Sequence, residues 1–124
     1  MEISQRWALL EHIDAPDDPS GRHFDLLLED GECCRTWRLA QIPQINGLPI
    51  PAVPLPMHRL DWLNKKHCAV SQGRGWVHQV FEGVFKGTLP YDQTDSFEVY
   101  LVARELEAKL SIHKGLCQLR SINK

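Results

Sequence analysis

A histidine and a carboxylate two positions apart on a strand project from the same face, and the stretch GRHFDLLLEDG, residues 21–31, sets His23 and Asp25 in that relation. Alternation puts Phe24, Leu26 and Leu28 on one face and His23, Asp25, Leu27 and Glu29 on the other. One face is expected to be core, and the other to carry chemistry or meet water. His12 closes an earlier strand candidate, RWALLEH, and the irregular loop IDAPDDPSG returns the chain to His23. If the two strands pair, two imidazoles and a carboxylate meet. Two nitrogen ligands and one carboxylate oxygen suit a divalent ion such as Mn²⁺ or Zn²⁺, with positions left open for water or substrate. By spacing alone, the same residues also fit a solvated strand face with a histidine at a strand end.

A second cluster runs from His58 to His78. It contains Arg59, Lys65, Lys66, His67 and Arg74, with Trp62 and Trp76 interleaved. Cations meet phosphates and aromatic faces stack on bases, so this segment has the chemistry to hold a nucleic-acid end. The alternative is a charged hairpin whose tryptophans are core.

These residues need a scaffold, and composition bounds it. A chain of 124 residues with 43% hydrophobic and 24% charged residues is long enough for one domain with a real core. A net charge of −2 removes any global electrostatic argument for nucleic-acid binding, so such contacts must come from a local patch. No apolar run approaches the ~20 residues that span a bilayer. The start MEISQRWALLEHIDAP lacks a basic segment followed by a long apolar stretch, which predicts a cytoplasmic location and no membrane partner. Cys33, Cys34, Cys68 and Cys117 form no CxxC pattern and are expected to be free thiols.

Alternation dominates over helical spacing. RWALLEHI, HFDLLLE, CCRTWRL, RGWVHQVFEG, GVFKGTL, SFEVYLVA, EAKLSIH and LCQLRSI read as strands. Turn signals separate them, including DG at 30–31, NG at 46–47 and KG at 114–115. The expectation is an all-β fold, a compact antiparallel β-barrel of about eight short strands. VYLVARELEAKLSIHK also carries a spacing of four through Val102, Leu106 and Leu110, but its cleaner alternation predicts two strands. Pro43, Pro49, Pro51, Pro54 and Pro56 punctuate residues 42–57, which predicts a stiff, partly polyproline connector strapping a barrel end. A proline-rich ligand for a partner domain is the alternative there.

Taken in order, LLEH, HFDLLLEDG, RTWRLA, HRLDWL, VFEGVFKGTL and KLSIHKGLCQLRSI resemble the 3′-phosphoesterase domain found at the N-terminus of bacterial DNA ligase D and in small stand-alone relatives. The resemblance runs from about Trp7 to Ile122. It implies a β-barrel whose crevice holds a divalent metal, typically manganese, and which trims 3′-terminal phosphate or ribonucleotide from DNA ends in repair. On the matching positions the metal ligands would be His12, His23 and Asp25, and His58 would touch the scissile phosphate. The implied partners are DNA 3′ ends and, beyond them, a ligase, polymerase or end-binding protein, with the chain itself a monomer.

Departures from the family pattern lie where cations are expected. Leu27 stands in place of an arginine, Gln41 in place of a lysine, and Trp62 in place of the usual tyrosine; the gap between His12 and His23 is also longer than usual. Arg22, Arg35, Arg38, Arg59 and Arg74 are the pool from which substitutes would come. Arg38 beside Trp37, Arg74 in the GRG turn, and Trp62 are the candidate substrate contacts. A phosphoesterase and an inactive module that binds DNA ends or a partner therefore both fit the sequence.

Overall fold

The computed structural model describes residues 5–16 and 18–122. The alternating stretch GRHFDLLLEDG forms a strand, β2 (Arg22–Asp30), lying antiparallel between β1 (Gln5–Ile13) and β3 (Cys33–Leu39). The remaining strands are β4 (Ile50–Arg59), β5 (His67–Ala69), β6 (Trp76–Lys86), β7 (Phe97–Ala103), β8 (Glu107–His113) and β9 (Leu116–Ser121). They form one antiparallel sheet in the order β1-β2-β3-β4-β9-β8-β7-β6-β5. A further pairing of β1 with β6 closes eight of the strands into a ring, leaving β5 outside it on the free edge of β6. A short 3-10 helix, Leu60–Asn64, follows β4. No helix among the described residues is long and apolar enough to cross a membrane.

Closing the ring encloses one face of its eight strands. Trp7 and Leu9 of β1, Phe24, Leu26 and Leu28 of β2, and Trp37 and Leu39 of β3 meet Phe85, Val99, Leu101 and Leu110 from the far wall. Trp37 packs against Phe97 with ring centroids 5.1 Å apart. Where β6 passes between β1 and β7, Gly83 is required. A Cβ there would lie 1.8 Å from the Val102 carbonyl oxygen, the same oxygen that accepts a hydrogen bond from Trp7 Nε1 at 3.2 Å.

The outer face of β1–β3 is dry as well. Ala8, Leu10, Leu27 and Cys34 form a second, smaller cluster, capped by Leu63 from the 3-10 helix, with Leu60 and Trp62 against it. Arg6 fixes this cap by donating from its guanidinium to the Leu63 carbonyl (3.2 Å) and Asn64 Oδ1 (2.7 Å).

Two expectations are corrected. Residues 50–59 are not a polyproline connector but the strand β4, paired with β3. Pro54 and Pro56 are compatible with this because β4 meets β9 only through Ile50–Cys117 and Pro51–Leu116. Beyond them it is an edge strand, where a missing N–H costs no ladder bond on the open side. The two runs expected on either side of Gly83 are one continuous strand, β6, because that glycine serves close backbone approach rather than a turn. The segment with competing helical spacing forms two strands, β7 and β8, as alternation predicts. All four cysteines are free.

Candidate metal centre

Register builds the site. In the β1–β2 ladder His12 lies directly opposite His23, and Leu10 opposite Asp25. In the β2–β3 ladder Asp25 lies opposite Arg38. The outward-facing side chains of His12, His23, Asp25 and Arg38 are therefore cross-strand neighbours, continuing the row that Ala8, Leu10, Leu27 and Cys34 make apolar. His23 and Asp25 are each only 3% exposed. The imidazole rings of His12 and His23 meet edge-on at 4.9 Å.

Hydrogen bonds outside the cluster decide which ring nitrogens face it. His12 Nε2 lies 2.7 Å from the Arg74 carbonyl oxygen, and a carbonyl only accepts, so Nε2 carries the proton and Nδ1 keeps its lone pair. This contact depends on Gly75. Its φ is +91°, and a Cβ there would stand 2.1 Å from the Ile13 carbonyl oxygen, so only glycine lets the 70–75 loop lie against the end of β1. His23 has the opposite arrangement: Nδ1 lies 2.7 Å from Asp18 Oδ2, leaving the Nε2 lone pair free.

The two lone pairs and the carboxylate converge. His12 Nδ1 is 3.8 Å from Asp25 Oδ2, and His23 Nε2 is 3.5 Å from Asp25 Oδ1. His23 Nε2 and Asp25 Oδ1 are buried and make no hydrogen bond. Buried polar atoms left unsatisfied are costly and rare, and a cation explains both at once. One ligand atom from each of His12, His23 and Asp25 lies within 4.8 Å of the others, the one such three-residue group among the described residues. Two imidazole nitrogens and a carboxylate oxygen fit Mn²⁺ or Zn²⁺.

The electrostatics fit a cation as well. Burial alone would push Asp25 up, but the imidazoles of His12 and His23 and the Arg38 charge hold its carboxyl down at about 2. Burial likewise opposes charge on His23, yet the carboxylates of Asp25 and Asp18 outweigh it, so its net direction is upward. Hydrogen bonds from Ser20 and His23 hold Asp18 at about 2. Arg38 Nε stands 4.0 Å from Asp25 Oδ1, at the margin of an ion pair.

The cluster opens into a crevice of about 390 Å³ whose lining includes His12, Asp25, Arg38, His58, Trp62 and Arg74. Six of the seven site residues expected from the sequence therefore meet around one cavity, and the seventh, His23, lies beneath it. Leu55, Pro56, Met57 and Val70 supply an apolar wall. His58 packs edge-on against Trp62 at 5.3 Å and donates from Nδ1 to the Pro56 carbonyl at 3.0 Å, which leaves Nε2 available for proton transfer.

The arginine pool divides. Arg38 and Arg74 reach the crevice. Arg22 pairs with Glu11 at 2.9 Å, Arg35 with Asp30 at 2.9 Å, and Arg59 with Asp61 at 3.4 Å. Arg74 lines the crevice with its guanidinium bonded to Ser71 O (2.9 Å) and Oγ (3.0 Å), while its backbone carbonyl orients His12. The tight glycine approach in the GRG turn is to β1, at Gly75, and it is made by protein backbone. Leu27 belongs to the outer apolar cluster, and Gln41 lines a separate depression with Ile42 and Leu48. Neither position adds a cation to the crevice.

Sequence reasoning did not find Asp18 or the Pro56 and Arg74 carbonyls. The backbone carbonyls have no sequence signal. Asp18 has one, because Asp-x-Ser ahead of a histidine strand is an Asx-turn pattern, and Asp18 Oδ1 does accept from Ser20 N (2.9 Å) and Oγ (2.6 Å). No protein-family model and no curated protein sequence matches the chain.

Proposed function

We propose that this chain is a divalent-metal-dependent phosphoesterase acting on the 3′ ends of DNA, removing a terminal phosphate or ribonucleotide. One observation carries the reading: the ligand atoms of His12 and of the buried His23 and Asp25 converge at a crevice that also gathers His58, Arg38, Trp62 and Arg74. Manganese or zinc bound there would supply positive charge against phosphate oxygens and acidify water for attack. The chain's own groups complete the chemistry. Arg38 places a cation beside the Asp25 carboxylate. His58, anchored through Nδ1–H to Pro56, keeps Nε2 free, and in its imidazolium form it would give the Nε2 proton to a leaving oxygen. Trp62 and the Pro56–Met57 wall offer apolar surface to a sugar or base.

The deciding assay incubates the protein and Mn²⁺ with a primer-template ending in a 3′-phosphate, or in a single ribonucleotide. Release is expected, and chelation or His23→Ala should abolish it. His58→Ala should lower the rate about 10²–10³-fold, the size of a lost transition-state contact. No release from protein shown to bind Mn²⁺ would overturn the catalytic reading.

A second reading, a binding module for DNA ends or a partner, is favoured by Leu27 and Gln41, which leave the crevice without two of the family's cations. It predicts DNA binding that survives chelator and Asp25→Ala. Binding that needs both metal and Asp25 would remove it.

A further inference from the structure

We infer that Asp18 is a positioning residue for the metal cluster: by accepting the His23 Nδ1 proton it holds the imidazole in the tautomer whose Nε2 lone pair faces Asp25. The inference rests on the metal reading and deepens it. A neutral imidazole carries one proton, and the hydrogen bond made by one nitrogen decides what the other can do. His23 Nδ1 is 2.7 Å from Asp18 Oδ2, whereas Nε2, on the cluster side, makes no hydrogen bond. The opposite tautomer would aim a proton at the cluster and leave Nδ1 without a proton to give Asp18.

The carboxylate is itself held in place. Asp18 Oδ1 accepts from both the backbone and the hydroxyl of Ser20, so Oδ2 has little freedom to turn from His23. The loop is braced by Asp18 N donating to the Ala15 carbonyl (3.1 Å), Gly21 N to the Asp18 carbonyl (3.0 Å), and Asp14 N to the Gly21 carbonyl (2.9 Å). The long connection between β1 and β2 thus delivers an outer carboxylate to a histidine that the strand register alone has already placed. His12 is oriented by a neutral carbonyl, that of Arg74. The two histidines therefore present different nitrogens to the cluster, and only His23 has an anion behind it. Outer partners of this kind fix ring orientation and raise ligand basicity, and their loss typically weakens metal binding 10–100-fold.

The test compares the full-length wild type with Asp18→Ala, Asp18→Asn and Ser20→Ala. Long-range ¹H–¹⁵N spectra of metal-free protein at pH 8 report the His23 tautomer, and loss of the free Mn²⁺ electron-spin signal on titration reports affinity. The expected result is a His23 protonated at Nδ1 in the wild type and shifted toward Nε2 protonation in Asp18→Ala, with Mn²⁺ binding 10–100-fold weaker. Asp18→Asn, whose amide oxygen can still accept from Nδ1, should restore the tautomer and recover part of the affinity. Ser20→Ala, which keeps the backbone N–H half of the brace on Asp18 Oδ1, should weaken Mn²⁺ binding less than Asp18→Ala does. An Asp18→Ala protein with an unchanged tautomer and unchanged Mn²⁺ binding would overturn the inference, as would a Ser20→Ala loss equal to that of Asp18→Ala, which would make loop order the cause. If the wild type binds no Mn²⁺, the metal reading fails, and the tautomer shift alone then upholds or overturns the role of Asp18.

Discussion

The two faces of β2 are built from the same nine-residue strand and differ in what covers them. Phe24, Leu26 and Leu28 face the interior of the ring, where the far wall buries them. His23, Asp25 and Leu27 face outward and are buried just as completely, under the 14–21 loop, the 3-10 helix and the 70–75 loop. Alternation thus distinguishes two faces here without distinguishing dry from wet. The interior is closed by the sheet and is lined mainly by apolar side chains; the outer face is closed by local segments that bring in carbonyls, a carboxylate and a tryptophan. Low-dielectric surroundings with a few placed polar groups are the setting in which charge interactions and metal ligation are strong.

Neighbouring leucines on opposite faces give the largest expected effect. Leu26→Ala, on the inner face, and Leu27→Ala, on the outer, should each destabilise the protein by about 2–5 kcal/mol, because each side chain is fully buried. Urea unfolding measures both. A Leu27→Ala cost below about 1 kcal/mol would mean that the outer cluster is not a true core.

Acid stability should come from one face only. Asp25 has its carboxyl held down at about 2 from an ordinary 3.8, so its contribution is present above about pH 4 and is lost as pH falls toward 2, amounting to about 2 kcal/mol. Metal-free Asp25→Asn should therefore lose part of the acid slope of unfolding free energy between about pH 4 and 2. Leu26→Ala should lower the whole curve without changing that slope. Parallel curves for wild type and Asp25→Asn would break the contrast.

The smallest effect leaves stability untouched. Burial pushes the thiols of Cys34, on the outer face, and Cys117, on the inner, up to about 12. A thiol-reactive dye at pH 8 should label Cys33 and Cys68, which are half-buried, well before either of the others. Rapid labelling of Cys34 but not Cys117 would show the outer cover to be the looser of the two.

Much of this was legible in the sequence because it depends on period and register. The spacing of His23 and Asp25 fixes a shared face, and the pairing of RWALLEH with HFDLLLE sets His12 opposite His23. What was not legible depends on tertiary context. Pro54 and Pro56 read as strand breakers until β4 is seen to have an open side. Gly83 reads as the boundary between two short strands until the Val102 carbonyl is found against it. Arg74 reads as a candidate substrate contact, and nothing in its residue type signals that its backbone carbonyl orients His12. Side-chain type carries no information about a backbone oxygen, and a long irregular loop gives little warning of where its carboxylate will fall.

The ring is fastened unequally around its circumference. β1 is bonded to β2 from Trp7 to Ile13 on one side and to β6 along its whole length on the other, whereas β4 holds β9 through Ile50–Cys117 and Pro51–Leu116, helped by Ala52 N to the Gly115 carbonyl and Asn46 N to the Leu119 carbonyl. Local opening follows the least-bonded line. Amide hydrogen exchange should therefore begin at the β4–β9 clasp and reach β1 and β2 last. The cluster of His12, His23 and Asp25 sits on the two strands that let go at the end, so the molecule can breathe at its clasp while its ligand atoms stay in register.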